Sequence, residues 1–179
     1  MPFSDLMREL KQQKTLVDIR RDELDVSDIR GHILDVTGCL VLIGVVADDI
    51  RLDGYSVISR DEVSFLRWGT DVLRGWQDVL NGRGGDDETA SAVDITDWWR
   101  AIGTIRDHTP LLTFHRERFD PRTCYISDEF EVTPISIVGR QITTDGMRNG
   151  SFAIKMGDLT RIDFGGSYEH GLKRMLSPK

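Results

Sequence analysis

Residues 52–80 read LDGYSVISRDEVSFLRWGTDVLRGWQDVL, and a degenerate copy of this stretch occurs later in the chain. Residues 148–176, RNGSFAIKMGDLTRIDFGGSYEHGLKRML, align with it without a gap at a constant offset of 96. Both copies are apolar at nine of the 29 aligned positions, whereas 39% hydrophobic content alone would give about four. Five positions are identical: Gly54/Gly150, Ile58/Ile154, Gly69/Gly165, Gly75/Gly171 and Leu80/Leu176. We therefore interpret the chain as two copies of one fold.

The first part of the repeated stretch predicts two strands separated by one helical turn. Tyr55–Ile58 is the first strand, and residues 60–62 form the turn. Val63–Trp68 is the second strand, in which Leu66 and Trp68 share a face that we predict points inward. The glycine that follows ends this strand.

The second part of the stretch predicts an amphipathic helix. Asp71 is expected to cap it, and Asn81–Gly82 is expected to end it. Ser167 falls opposite Asp71 and is expected to cap the helix of the second copy. The apolar side chains share one helical face: Val72, Leu73, Trp76, Val79 and Leu80.

The rest of the chain follows the same element order in both halves. The first half predicts a helix near Ser4 and strands at 15–20, 31–36 and 39–46. The second half predicts a helix at 95–105 and strands at 111–116, 124–133 and 135–142. The segment between them is rich in glycine and acidic residues, which is typical of a linker. We predict two domains, residues 1–82 and 93–179, joined by a linker at 83–92.

Composition indicates a globular chain. It has 179 residues, of which 39% are hydrophobic and 30% charged. The longest apolar run, 39–47, is too short to cross a membrane, and the N-terminus has no apolar signal region. Cys39 and Cys124 lack metal-ligand spacing, so we expect reduced, partly buried thiols in a cytoplasmic protein.

The net charge of −7 and the pI near 5.1 bear on partners. Proteins that bind nucleic acid through phosphates usually carry a concentrated basic surface. The dispersed cations of this chain therefore argue against nonspecific nucleic-acid binding, although a local basic patch is compatible with them.

The strand, single turn and strand ending at glycine, 58–69, resemble the end of an Sm-like (Hfq-type) barrel and of the wider group of SH3-like barrels. In the Sm-like fold a short helix precedes five strongly bent strands. The resemblance covers about residues 3–69 and 95–165. It implies a mainly β fold with flanking helices (α+β), namely two tandem Sm/SH3-like small β-barrels, each with an N-terminal and a C-terminal helix.

The chain departs from the Sm pattern where that pattern binds RNA. It has no Asp-aromatic-Met-Asn segment and no Ile-Arg-Gly run in the later position. Arg30-Gly31 lies too early in the barrel to replace that run. The resemblance therefore implies the shape of the family and does not carry over its RNA binding.

Two groups of residues are candidates for binding. Asp48, Asp49 and Asp53 lie in one loop and could converge on a cation, although a solvated loop is the simpler interpretation. This loop together with Tyr55 is one expected contact surface. Trp98 and Trp99 mark the other, because two adjacent tryptophans cannot both point into one narrow core.

No catalytic constellation, metal site or cofactor fingerprint is predicted. The four histidines, His32, His108, His115 and His170, lack metal-binding spacing. Residues 115–118, His-Arg-Glu-Arg, are interpreted as alternating charge on an exposed strand face. Cys39 and Cys124 lie in apolar strands, where a thiol stays protonated.

The leading functional hypothesis is a non-enzymatic interaction or scaffold module, cytoplasmic, that binds a protein partner or copies of itself. Neither a membrane nor a small-molecule substrate is predicted. One alternative is an Sm-like RNA-binding protein, which requires a basic patch, for example from Arg20, Arg21, Arg30 and Arg60. Another alternative is an enzyme with a pocket between the two repeats that contains histidine and carboxylates.

Overall fold

The computed structural model describes residues 2–25, 27–82, 88–109 and 111–176. In these ranges the protein is mainly antiparallel β, with helices packed around one sheet. The helices are α1 (Phe3–Gln12), α2 (Asp71–Asn81), α3 (Glu88–Ser91), α4 (Trp98–His108) and α5 (Ser167–Met175). The strands of the first half are β1 (Leu16–Arg20), β2 (Ile29–Val36), β3 (Leu40–Val46), β4 (Leu52–Ser59) and β5 (Phe65–Trp68). Those of the second half are β6 (Leu112–His115), β7 (Cys124–Ser127), β8 (Phe130–Val132), β9 (Ser136–Ile142), β10 (Arg148–Lys155) and β11 (Arg161–Phe164).

The strands form one eleven-stranded sheet in the order β10-β9-β7-β6-β11-β4-β3-β2-β1-β5, with β8 paired to β9. The first half contributes β5-β1-β2-β3-β4, and the second contributes β11-β6-β7-β9-β10. In each half, therefore, the last strand pairs with the first and the others follow in chain order. The two halves meet where β4 pairs with β11.

Element bounds recur at a fixed spacing. A 3₁₀ turn, Arg60–Glu62, separates β4 from β5, and a second one, Met156–Asp158, separates β10 from β11. The strands β4 and β10, the two turns, and the strands β5 and β11 begin and end 96 residues apart. Leu42 pairs with Val57 in the first half, and Val138 pairs with Ala153 in the second, at the same spacing.

The N-caps of both C-terminal helices lie one residue before the predicted ones. Thr70, not Asp71, caps α2, because its Oγ1 accepts the Leu73 backbone N–H at 3.2 Å. Gly166, not Ser167, is the N-cap of α5. The Gly166 amide donates to the Glu169 carboxylate at 3.1 Å. An acidic side chain one turn into the helix therefore accepts the hydrogen bond of the N-cap amide.

Three other predictions differ from the structure. The helix predicted at 95–105 begins at Trp98, since Asp97 caps it by accepting the Arg100 amide at 2.8 Å. The strand predicted at 124–133 is two strands, β7 and β8, separated by a turn at 128–129. Cys39 is exposed because β3 begins one residue after it.

Trp68 does not point inward as predicted. It is 43% exposed, whereas Leu66 on the same strand is buried. The physical reason is its place at the end of β5, which pairs only with β1 among the described strands and so lies at the border of the sheet. Its counterpart Phe164 lies in a strand with neighbours on both sides and is 1% exposed.

Each half has its own apolar core, and one core includes residues of both halves. Met7 and Leu10 of α1 pack inside the first half against residues such as Leu66. Ile102 and Ile105 of α4 pack on the second half. The second core also contains side chains of β3 and β4: Leu40, Leu42, Tyr55 and Val57. At about 1.5–3 kcal/mol for each large apolar side chain buried, these four contribute substantially to holding the halves together.

Across the part of the chain that is described, every helix is too short or too polar to span a membrane.

Candidate functional site

The pairing of β4 with β11 defines an internal junction between the halves. Arg161 lies opposite Ile58, and Phe164 lies opposite Tyr55. The Tyr55 and Phe164 rings stack with their centroids 5.1 Å apart. Tyr55 is 5% exposed, so it belongs to this junction, and its hydroxyl has no hydrogen-bond partner among the described residues.

Gly54 permits the close approach of the two halves. Its φ is +82°, a conformation that favours glycine. A Cβ at this position would lie 2.4 Å from the Gly166 nitrogen and 2.7 Å from the Phe164 carbonyl oxygen. Because these are backbone atoms, any side chain here would force the two strands apart.

A buried ionic cluster lies along one side of the internal junction. Arg21 of the first half is fully buried and donates to Asp25 at 2.5 Å and to Glu117 of the second half at 2.9 Å. It also donates to the Thr160 carbonyl oxygen at 3.1 Å. Glu62 lies 3.7 Å from the Arg21 guanidinium. The guanidinium therefore bridges the halves with nearly every donor occupied.

The cluster continues through the second half to β4. Arg161 pairs with Asp163 at 2.6 Å and lies 3.7 Å from Glu117. His115 Nε2 is 2.8 Å from Asp163 Oδ2. The Ser56 hydroxyl of β4 donates to Asp163. Asp163 thus has partners on β4, β6 and β11, and it ties three strands together.

The charges of the cluster shift one another's pKa values. Burial acts to raise the pKa of Asp163, but the charges of Arg161 and His115 outweigh it and lower that pKa strongly. Burial likewise opposes the charge of Glu117, but hydrogen bonds from Arg21 lower its pKa. For Glu62 burial prevails over the nearby cations and raises the pKa.

The residues at 115–118 are not an exposed strand face as predicted. Glu117 is buried and His115 nearly so, with Arg21 and Thr160 bonded to Glu117 and Asp163 bonded to His115. Sequence reasoning missed Arg21 and Glu117 as a pair. They occupy the same position in the two copies, 96 residues apart, with opposite charge, and that reversal was the available signal.

A cleft of about 300 Å³ lies beside the internal junction, between α5 and the strands β4, β6 and β11. It is lined by His115, Cys124, Asp163 and Glu169 among others. Both ring nitrogens of His115 face carboxylates, Nε2 at 2.8 Å from Asp163 and Nδ1 at 4.0 Å from Glu117. Burial, reinforced by Asp163, raises the pKa of the Cys124 thiol. His115 is thus paired with acids. The raised pKa keeps the Cys124 thiol protonated, so this cysteine is not activated as a nucleophile.

The three predicted loop aspartates are not brought together. Asp48 and Asp49 are exposed in the turn between β3 and β4, where Asp49 pairs with Arg51 at 2.7 Å. Asp53 turns toward α5 and accepts the backbone N–H of Ser167 at 2.7 Å and its hydroxyl at 3.0 Å. Burial acts against this carboxylate, but the Ser167 bonds prevail and lower the pKa of Asp53. Among the described residues no group of three histidine, cysteine or acidic side chains is placed to hold a metal.

The adjacent tryptophans point in different directions. Trp98 is partly buried and packs on the second core, whereas Trp99 is largely exposed at the start of α4. Trp99 therefore remains accessible as a contact residue, and Trp98 anchors the helix.

Three strands of the described sheet pair on one side only, namely β5, β8 and β10, and of these β5 and β10 are the two ends of the strand order. On β5 the side chains of Phe65 and Trp68 are exposed on opposite faces of the strand, and Val72 at the start of α2 is also exposed. Near β10, Val138 of the neighbouring strand and Ala153 are exposed on adjacent paired positions. These unpaired edges carry free backbone donors and acceptors beside apolar side chains, which suits strand addition.

The four arginines considered for an RNA-binding patch are each engaged by a carboxylate. Arg21 is buried in the ionic cluster. Arg20 pairs with Asp28 at 2.6 Å, and Arg30 pairs with Asp18 at 2.7 Å. The remaining one, Arg60, pairs with Asp61 at 2.8 Å. Their positive charge is therefore largely compensated by neighbouring acids.

Comparison with known proteins found no matching family model, no similar curated protein and no similar solved structure.

Proposed function

We propose that this chain is a non-enzymatic interaction module built from two fused Sm/SH3-like barrels, and that it binds a protein partner through its unpaired edges β5 and β10. Several features support the two-barrel interpretation. In each half the last strand pairs with the first and the order then follows the chain, with β8 of the second half set off this path, and each half is preceded by a helix and followed by another. Each has a 3₁₀ turn before its last strand, and a glycine with positive φ after it, Gly69 or Gly165.

The observation that carries the proposed function is the β4–β11 pairing itself. Within the first half alone β4 would be an edge strand, and within the second half alone β11 would be one. The chain joins these two edges and leaves their counterparts β10 and β5 with one neighbour each. An edge strand that is neither covered nor paired is a ready template for another chain.

The alternative functions have less support. The arginines proposed for RNA contact are paired with acids, and the net charge is −7. The cleft beside the internal junction does contain His115 and carboxylates, as an enzyme hypothesis requires. Its His115, Arg161 and Asp163 side chains already bond to one another, so this hypothesis ranks below edge binding.

The test combines two binding measurements with edge variants. Multi-angle light scattering over a concentration series reports self-association, and affinity capture by the tagged chain reports other partners. Trp68→Glu on β5 and Ala153→Glu on β10 place a charge on exposed edge positions and should abolish the association. Val79→Glu, exposed on α2, is the matched control and should leave it intact. A monomeric mass with no partner captured would contradict the proposal.

A further inference from the structure

We infer that the cleft beside the internal junction binds a small organic cation, a primary amine. The cleft measures about 300 Å³ and lies between α5 and the strands β4, β6 and β11. Pockets for small molecules span about 300–1,000 Å³, so this one suits a ligand at the small end of the range. The inference goes beyond the proposed function and does not depend on it.

Glu169 of α5 supplies a buried carboxylate with no cation beside it. Its side chain lines the cleft and is 7% exposed. Among the described residues no cation forms an ion pair with it, and both of its hydrogen bonds come from neutral donors: the Thr113 hydroxyl at 2.9 Å and the Gly166 amide at 3.1 Å. A buried charge without a partner is costly, and each carboxylate oxygen can accept a further hydrogen bond. A positively charged ligand would compensate this charge.

Tyr55 provides a second unsatisfied group in the wall of the same cleft. Its side chain is buried, and its hydroxyl has no hydrogen-bond partner among the described residues. Buried hydroxyls normally have a partner, so an unpaired one in a cleft wall marks a contact for a ligand. An ammonium group has three N–H donors, enough for the Glu169 carboxylate and the Tyr55 oxygen together.

The charges around the cleft favour a cation over an anion. The lining contains three acids, Asp53, Asp163 and Glu169, but only one arginine. That arginine, Arg161, already pairs with Asp163 at 2.6 Å, and His115 lies 2.8 Å from the same carboxylate. A phosphate or carboxylate ligand would therefore be repelled by Asp53 and Glu169.

The rest of the lining favours an organic cation over a metal ion. Among the described residues no group of three histidine, cysteine or acidic side chains is placed to hold a metal. Tyr168 lines the cleft and is 47% exposed, and Val45 and Phe164 add apolar surface. Aromatic faces attract ammonium groups, and apolar walls accommodate the carbon chain that carries one.

Isothermal titration calorimetry with n-butylamine and n-hexylamine tests the inference, with 1-butanol and butyrate as the matched neutral and anionic probes. At least one of the amines should bind with a Kd of about 1 mM or less. The alcohol and the carboxylate should bind at least about tenfold more weakly, because neither offers a charged donor. No saturable binding of either amine at about 20 mM, or equal binding of 1-butanol or butyrate, would overturn the inference.

Two variants assign the binding to the cleft. Tyr55→Phe removes only an unpaired hydroxyl, so the midpoint of thermal unfolding should be retained while the amine binds about threefold more weakly. Glu169→Gln removes the charge and should weaken binding about tenfold or more. The matched controls are Tyr125→Phe, whose ring packs on the second core, and Glu131→Gln, exposed on β8. Both controls should bind the amine like the native chain.

Unchanged amine affinity in both cleft variants would overturn the inference. Since Glu169 also accepts a bond at the start of α5, Glu169→Gln can lower the thermal midpoint. In that case Tyr55→Phe decides, and unchanged affinity in this variant alone would overturn the inference.

The variant Trp68→Glu separates this inference from the proposed function. Trp68 lies outside the cleft lining, so Trp68→Glu should lose edge association and keep amine binding. Amine binding by a chain that shows neither self-association nor a captured partner would support this inference and contradict the proposed function. Edge association without amine binding would do the reverse.

Discussion

The internal junction and the unpaired edges are the same kind of strand border in two states, one paired and one unpaired. In the junction Phe164 is buried against Tyr55, and Asp163 has ionic partners on neighbouring strands. At the unpaired edges the counterparts are the exposed Trp68 and an arginine. The two halves share element bounds 96 residues apart, whereas their side chains differ between the paired edge and the unpaired edges. Substitutions at counterpart positions therefore measure what closure contributes.

The largest expected difference is between Phe164→Ala and Trp68→Ala. Truncating Phe164 empties a buried site and should lower the free energy of unfolding by about 4 kcal/mol. Truncating Trp68, which is half exposed, should lower it by about 1 kcal/mol in a dilute, dissociated sample. Urea unfolding of both variants measures the difference. Equal losses of unfolding free energy would mean that the edge of β5 is covered in solution.

Arg21→Met should have the next largest effect, about 3 kcal/mol, because it leaves Asp25 and Glu117 buried without their cation. The adjacent Arg20→Met removes only a partly exposed pair with Asp28 and should lower the stability much less. Both are compared with the native chain by urea unfolding. If Arg21→Met is as mild as Arg20→Met, the ionic cluster does not hold the halves together.

Two glycines at counterpart positions test the close approach of the halves at the internal junction. Gly54 and Gly150 have nearly the same φ, +82° and +80°, but only Gly54 is crowded by backbone. Gly54→Ala adds overpacking to the strain of a left-handed residue and should cost about 2–3 kcal/mol. Gly150→Ala meets nothing within 4 Å and should cost about 1 kcal/mol from strain alone. The midpoint of thermal unfolding ranks the two variants, and a reversed order would refute the assignment of the close approach to Gly54.

The smallest expected effect concerns pH. The pKa of Asp163 is lower in the folded chain than the usual value of about 3.9 in an unfolded one. The stability it confers is therefore complete above about pH 5 and is lost as the pH falls further, by about 1 kcal/mol at pH 3. Glu62 has the opposite sign, since its raised pKa favours the protonated form, and it partly offsets the loss.

Urea unfolding at pH 7, 5 and 3 follows this dependence. The stability difference between the native chain and Asp163→Asn should shrink at the lowest pH. For Asp49→Asn, in an exposed ion pair, the difference should stay near zero at every pH. If Asp163→Asn lowered the free energy of unfolding by the same amount at every pH, the charge of Asp163 would not contribute to stability.

Much of the local structure was predictable from the sequence. The turn at 60–62 and the helix ending at Asn81 follow from short-range signals, and the structure confirms both. The buried face of α1 with Met7 and Leu10 was likewise predictable from helical spacing. These features depend on neighbouring residues, so one stretch of chain contains all the information they need.

The site was much less predictable, because it depends on which strands meet. Whether Trp68 is buried depends on whether another strand lies beside β5, and its own alternation pattern cannot show this. Glu117 looked like one charge in an exposed run, but it is buried beside Arg21. Asp53 was predicted as a possible cation ligand, but it accepts a hydrogen bond from Ser167 at the start of a helix, 114 residues away. Contacts over such separations are set by topology, which short sequence patterns do not encode.

The fusion of two halves in one chain has a consequence for counting. Each chain contains one Arg21 half and one Glu117 half, so the two halves are always present in equal numbers and meet without a bimolecular step. The covalent linkage also fixes which half neighbours which at the internal junction, a restriction that two separate halves could not impose.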